Sequence, residues 1–172
     1  MPASPSITNY QIPTGKVYFR RTGESTFTDL GNVINFTVEN TIEKKDHFRL
    51  YGGARTKDKT IIVQTGATVK FTMDEITPYN LAFFALSTAA TTDTDDDSEL
   101  VGLSETSFTG TLRVIGDNDV GPQVDWEGDV SIIPAGSFSF IKNDDEWNVI
   151  EVEAEVQADA NNTFGVWNHR DQ

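Results

Sequence analysis

Carboxylates offer the most chemistry in this sequence. Asp93-Thr94-Asp95-Asp96-Asp97 puts acids at the first, third and fifth places of a calcium loop. Such a loop also needs glycine at its sixth place and a bidentate glutamate at its twelfth. Ser98 and Ser104 stand there instead, so a solvated acidic loop is the expected reading. Gly116-Asp117-Asn118-Asp119 has the simpler reading of a turn between strands. A pair of carboxylates can hydrolyse a glycosidic bond. With 27 Asp and Glu in the chain, however, some chance pair is certain and carries no information. Trp126, Trp147 and Trp167 could stack on a sugar, but a tryptophan in an alternating strand more often fills a core.

Other site chemistries are excluded or unsupported. There is no cysteine, which removes disulfides, thiolate nucleophiles and cysteine zinc sites. The two histidines, His47 and His169, lie far apart and outside any metal-binding frame. His47 sits in a cationic, polar segment and reads as solvated. No G-x-S-x-G elbow, phosphate-binding loop or dinucleotide fingerprint occurs. No cofactor and no metal is implied. Asn35 and Asn161 match the glycosylation sequon by chance, because no secretory signal is legible.

One pattern stands out. Within Val124–Ile133 the alternation puts Asp125, Glu127 and Asp129 on one side, with Val124, Trp126, Val130 and Ile132 on the other. Within Trp147–Gln157, Glu151, Glu153 and Glu155 share one side, and Ile150, Val152, Ala154 and Val156 the other. Each strand is an acid comb with an apolar back. Like charges on neighbouring sheet positions repel. The combs are therefore either plain solubility charge or a surface selected to be uniformly negative, and their strict period of two favours the second.

The elements that would position these groups are mostly strands. Residues 1–14 hold Pro2, Pro5 and Pro13 and read as an extended arm. Strands are predicted at Gly15–Arg21, Asp29–Glu39, Thr60–Gln64, Ala67–Met73, Ser107–Ile115, Val124–Ile133, Ser137–Ile141 and Trp147–Gln157. Turn signals at residues 116–119, 134–136 and 143–145 separate the later ones. Residues 41–59 read as a long excursion. They are the only cationic stretch, with Lys44, Lys45, Arg49, Arg55, Lys57 and Lys59, and Gly52-Gly53 punctuates them. A single helix is predicted over residues 74–86, N-capped by Thr77 with Pro78 at the first helical position. Leu81, Phe84 and Ala85 would form its face. Residues 87–99 read as a polar, acidic loop.

The resulting organisation is a single β domain over residues 15–160, preceded by the arm and followed by a C-terminal tail over residues 161–172. A chain of 172 residues builds a core of its own without staples. The net charge of −14 opposes docking on nucleic acid or anionic lipid, and no apolar run is long enough to span a membrane. Without a basic n-region or an apolar h-region at the N-terminus, synthesis in a cytoplasm is expected.

Residues 29–86 resemble the major tail tube proteins of long-tailed, non-contractile bacteriophages. The resemblance rests on Leu30-Gly31-Asn32-Val33 with Phe36, on Phe71-Thr72-Met73-Asp74-Glu75, and on Asn80-Leu81-Ala82. It covers about a third of the chain. One departure is that the helix of that family closes on a glycine, where this chain has Leu86-Ser87.

The resemblance implies a mainly β fold: a β-sandwich or half-barrel with one flanking α-helix and long loops, shared with the type VI secretion tube protein. It also implies a structural virion protein rather than an enzyme. Such a protein forms stacked, hexameric rings whose bore passes the tape-measure protein and genomic DNA without binding them, and it meets other tail proteins at the tube ends. On that reading Lys44, Lys45, Arg49 and Arg55 are subunit contacts. At least one comb lines the lumen, the Glu151, Glu153, Glu155 set before Asp125, Glu127 and Asp129. A capsid decoration protein, a carbohydrate-binding or adhesion module, and a glycan hydrolase remain as alternatives.

Overall fold

The computed structural model describes residues 7–87, 99–106, 108–143 and 145–171. The acidic run 93–97 and the first six residues of the arm lie outside them. After a single 3-10 turn at Ile7–Asn9 come β1 (Gly15–Arg21), β2 (Thr28–Asp29), β3 (Val33–Tyr51), β4 (Ala54–Met73), α1 (Pro78–Ala85), β5 (Phe108–Gly116), β6 (Gln123–Pro134), β7 (Ile150–Val156) and β8 (Val166–Arg170). All the strands pair antiparallel in one sheet of order β2-β1-β5-β6-β7-β4-β3. Strand β6 shares one of its edges between two partners. Val130–Pro134 pairs with β7, and Gln123–Glu127 pairs with β8.

Alternation in the strands builds the core. Val17 and Phe19 of β1, Phe108 and Leu112 of β5, Trp126, Val130 and Ile132 of β6, Ile150, Val152, Ala154 and Val156 of β7, and Val69, Phe71 and Met73 of β4 are all buried. The aromatic rings touch in a chain. Phe19 meets Phe83 at 5.0 Å, Phe83 meets Phe71 at 6.3 Å, Phe71 meets Phe36 at 5.9 Å, and Phe36 meets Trp126 at 6.0 Å. Phe36 lies on β3 and Trp126 on β6, with two strands between them in the sheet. Their contact requires the sheet to curl, which makes the body a half-barrel.

Helix α1 packs against this sheet. The Thr77 side chain accepts a hydrogen bond from the Asn80 N–H at 3.1 Å, and Pro78 follows it at the first turn, as the sequence predicts. The helix closes on Leu86 in the left-handed region at φ 44°, with the Ser87 N–H reaching the Ala82 carbonyl at 3.2 Å. Its buried residues are Asn80, Ala82 and Phe83, not the predicted face of Leu81, Phe84 and Ala85, which is only half-covered. Nearly every position of this short helix is apolar, so periodicity alone cannot choose its face.

Further elements differ from the sequence reading. The segment 41–59, read as a loop, is the outer part of a two-stranded ribbon. Strands β3 and β4 pair continuously past it, with register shifts at Glu43/Lys44 and His47/Phe48, up to Tyr51 opposite Ala54. Gly52 and Gly53 close it at φ 69° and 81°, the turn that two positive-φ residues allow. Residues 137–141 form no strand, and the strand expected from Trp147 begins at Ile150. Residues 166–170, read as tail, form β8.

Candidate functional site

The three short motifs within residues 30–82 converge at the foot of the β3–β4 pair. Leu30 is buried, and its backbone N–H donates to the Val17 carbonyl at 3.0 Å. Gly31 turns the chain at φ 75°, so close to the Glu75 carboxylate that a Cβ would collide with it. Asn32 gives its N–H to Glu75 Oε2 at 3.1 Å and its amide to Asp74 at 2.7 and 2.9 Å. The buried Asn80 amide donates to the Leu30 and Glu75 carbonyls, both at 2.9 Å. This knot fixes where the strand pair starts and where the helix begins. Its role is structural, since buried polar groups are satisfied in pairs.

Both acid combs lie on one face. Glu151, Glu153 and Glu155 of β7 stand opposite Thr72, Lys70 and Thr68 of β4, and on the other edge Glu153 and Glu155 stand opposite Ile133 and Ser131 of β6. Asp125, Glu127 and Asp129 follow on β6 with the same alternation, beside Arg113 and Thr111 of β5. The opposite face of all these strands is the core. The sheet therefore gathers into a single outward surface two sets that are separate in sequence.

The combs differ in how their charges are answered. Asp125 accepts hydrogen bonds from Arg170 at 2.7 Å and from the Gly116 N–H at 2.9 Å. Arg170 first, with the Gly116 bond adding to it, holds its carboxyl below the usual range. Glu127 pairs with Arg113 at 2.6 Å, and Asp129 accepts from Thr111 Oγ1 at 2.7 Å. On β7, Glu153 has only Lys70, at 3.9 Å. Among the described residues Glu151 and Glu155 have no ion-pair or hydrogen-bond partner. The β6 comb is thus largely neutralised by β5 and β8, while the β7 comb keeps its charge. Arg113 and Arg170 gave no signal of this pairing in the sequence, because register alone brings them alongside.

The ribbon is the second surface. Every residue from 39 to 65 is exposed. At about 3.4 Å per residue, its reach from residue 40 to the turn is roughly 35 Å. Of the predicted contact residues, Arg55 lies over the Phe48 ring at 4.4 Å. Lys44, Lys45 and Arg49 are exposed and make no ion pair among the described residues. Asp46 is held by Thr60 at 2.6 Å and Lys57 at 2.9 Å, and these bonds lower its carboxyl pKa. His47 Nδ1 lies 2.6 Å from Asp58.

A cleft of about 600 Å³ opens between Pro13, Phe36, Val38, Trp126 and Trp167, and no titratable side chain lines it. No group of three or more potential metal ligands occurs among the described residues, and none of their helices is long and apolar enough to cross a membrane.

Residues 10–102, just over half of the chain, match the family described as "Protein of unknown function UCP028589", and the chain belongs to that family. No curated protein matches. Among solved structures, a chain of the six-fold symmetrised cryo-EM structure of the anti-feeding prophage (AFP) baseplate is similar. It has 12% sequence identity over 97% of each chain and a TM-score of 0.56. That likeness shows the fold, mainly β with one helix.

Proposed function

We propose that this chain is a structural subunit of a phage-type tail. It assembles from copies of itself as stacked rings, with the comb face turned to the bore and the ribbon reaching a neighbouring subunit. The observation that carries this reading is the shared face of Glu151, Glu153, Glu155, Asp125, Glu127 and Asp129, backed by the core along its whole length. A bore lined in this way repels phosphates, so DNA slides rather than sticks. The free carboxylates of the β7 comb supply most of that field. Lys44, Lys45, Arg49 and Arg55 supply the opposite charge at the subunit contacts. The fold shared with a chain of a prophage baseplate supports a place in such a particle, where tape-measure protein, DNA and other tail proteins are the further partners.

A cryo-EM map of the concentrated, purified protein tests this. The expected result is rings or tubes with the β7 carboxylates on the inner wall and an obligate-class interface above about 2,000 Å². Isolated monomers, or tubes with both combs on the outer wall, overturn it. In particles carrying Glu151→Lys, Glu153→Lys and Glu155→Lys together, DNA ejection should slow; unchanged ejection removes the lumen assignment.

A further inference from the structure

The strand pair β3–β4 spans the molecule, and its two ends carry unlike surfaces. At the turn end Leu50 is 77% and Tyr51 82% exposed, beside the Phe48–Arg55 stack and the free Arg49. At the other end Met73 of β4 pairs with Ile150 of β7, and the connection from β6 to β7, residues 135–149, emerges. That connection exposes 90% of Phe140, 94% of Ile141 and 86% of Trp147. It is rooted in the body, because Phe140 meets Phe138 at 5.3 Å and Phe138 meets Phe84 of α1 at 6.0 Å. Trp147 borders a depression with Asn32, Asp74 and Glu75, and Asp145 and Glu146 precede it in the chain.

Apolar side chains gathered and exposed in this way mark an interaction surface. A two-stranded ribbon is marginal in water without something to pack on. One end is cationic and apolar, and the other is acidic and aromatic. Since they sit at opposite ends of the same strands, they cannot meet within one molecule.

We infer that the ribbon tip of one copy docks on the far end of the next, with Leu50 and Tyr51 covering Ile141 and Trp147 while Arg49 and Arg55 face Asp145 and Asp74. This rests on the reading of the chain as a self-assembling subunit, and it names the surface that receives the ribbon. The contact is heterologous, tip to far end, so each bound copy presents a fresh tip and a fresh receiving surface. Copies stack along the direction of β3–β4, which places this contact between rings.

The test uses the full chain and sedimentation velocity. A tip variant carries Arg49→Glu with Leu50→Ser, and a far-end variant carries Ile141→Ser with Trp147→Ser. All four positions are exposed, so circular dichroism and melting should match wild type. Each variant alone should raise the concentration needed for assembly by about tenfold or more. Mixed one to one they should assemble at a lower concentration than either alone, because the intact tip of one variant meets the intact far end of the other. If the double-serine variant fails to fold, Asp145→Lys replaces it, and Arg49→Glu should restore assembly to that variant. Wild-type assembly together with normal assembly of the far-end variants overturns this inference and leaves the tail-subunit reading standing. A wild type that stays monomeric at all concentrations overturns both.

Discussion

Between Val33 and Glu39, β3 lies along β4 with Phe36 and Val38 packed against the core. Beyond Asn40 the same two strands continue with the same ladder, and every side chain is exposed until Gly66. The β3–β4 ladder runs through both halves, but only the inner half of β4 bonds a second strand, β7, over Thr68–Met73. A hydrogen bond exchanged for one to water contributes little net free energy. The inner half is held by burial, at roughly 25 cal/mol per Å² of apolar surface. The outer half is held by cross-strand pairs worth about 0.2–1 kcal/mol each: Asp46 with Lys57 and Thr60, His47 with Asp58, and Arg55 on Phe48. One half is a piece of the fold, and the other is a limb that needs a partner.

The largest effect expected from this contrast is at Phe71, which touches Phe36 and Phe83. Phe71→Ala should cost about 3–5 kcal/mol of global stability by urea unfolding. A cost below about 1 kcal/mol would mean that burial does not hold the inner half. Gly53 sits at φ 81° with open space around it. Gly53→Val should therefore loosen the ribbon by about 1–2 kcal/mol through backbone strain alone. Amide exchange over residues 46–59 should speed up while the urea midpoint stays put; a moved midpoint would join the halves that the contrast separates. Phe48→Ala removes the ring under Arg55 and should weaken the ribbon by about 0.5–1 kcal/mol, again read by local amide exchange.

The smallest effect is a pH dependence confined to the ribbon. Bonds from Thr60 and Lys57 lower the Asp46 carboxyl below its ordinary value of 3.8. Its contribution is therefore complete above that value and fades as pH falls through the lowered one. Amide protection around Asp46 should drop on acidification below about pH 4, and Asp46→Asn should abolish the drop. An unchanged profile in Asp46→Asn would assign it to another group.

Much of the body was legible in the sequence. Gly15–Arg21 is a strand with the predicted bounds, because Val17 and Phe19 alternate there with Lys16, Tyr18 and Arg20. The apolar backs of β6 and β7 are buried as their period of two required. Thr77 followed by Pro78 marked the helix start, because a cap and a proline each satisfy a specific backbone need. The part of the ribbon over residues 41–59 was not legible, although the strand at Thr60–Gln64 was. Its polar and charged residues occupy both faces, so the alternation that marks a half-buried strand is missing, although the flanking Gly52-Gly53 turn was in view. Strand β8 is only five residues long and wholly exposed, too short and too wet for a periodicity to register.

The sequence by itself determined that each acid comb has an apolar back, because side-chain direction along a strand is a local property of period two. It also determined that the charge of the cationic stretch opposes that of the rest of the chain. Only the tertiary structure decided that both combs share one face, that Arg113 and Arg170 quiet one comb and leave the other charged, and that the cationic stretch and the exposed aromatics stand at opposite ends of one strand pair. Those facts depend on strand order and register across gaps of tens of residues. They are set by which apolar backs pack together in the core, a long-range choice that no local spacing encodes.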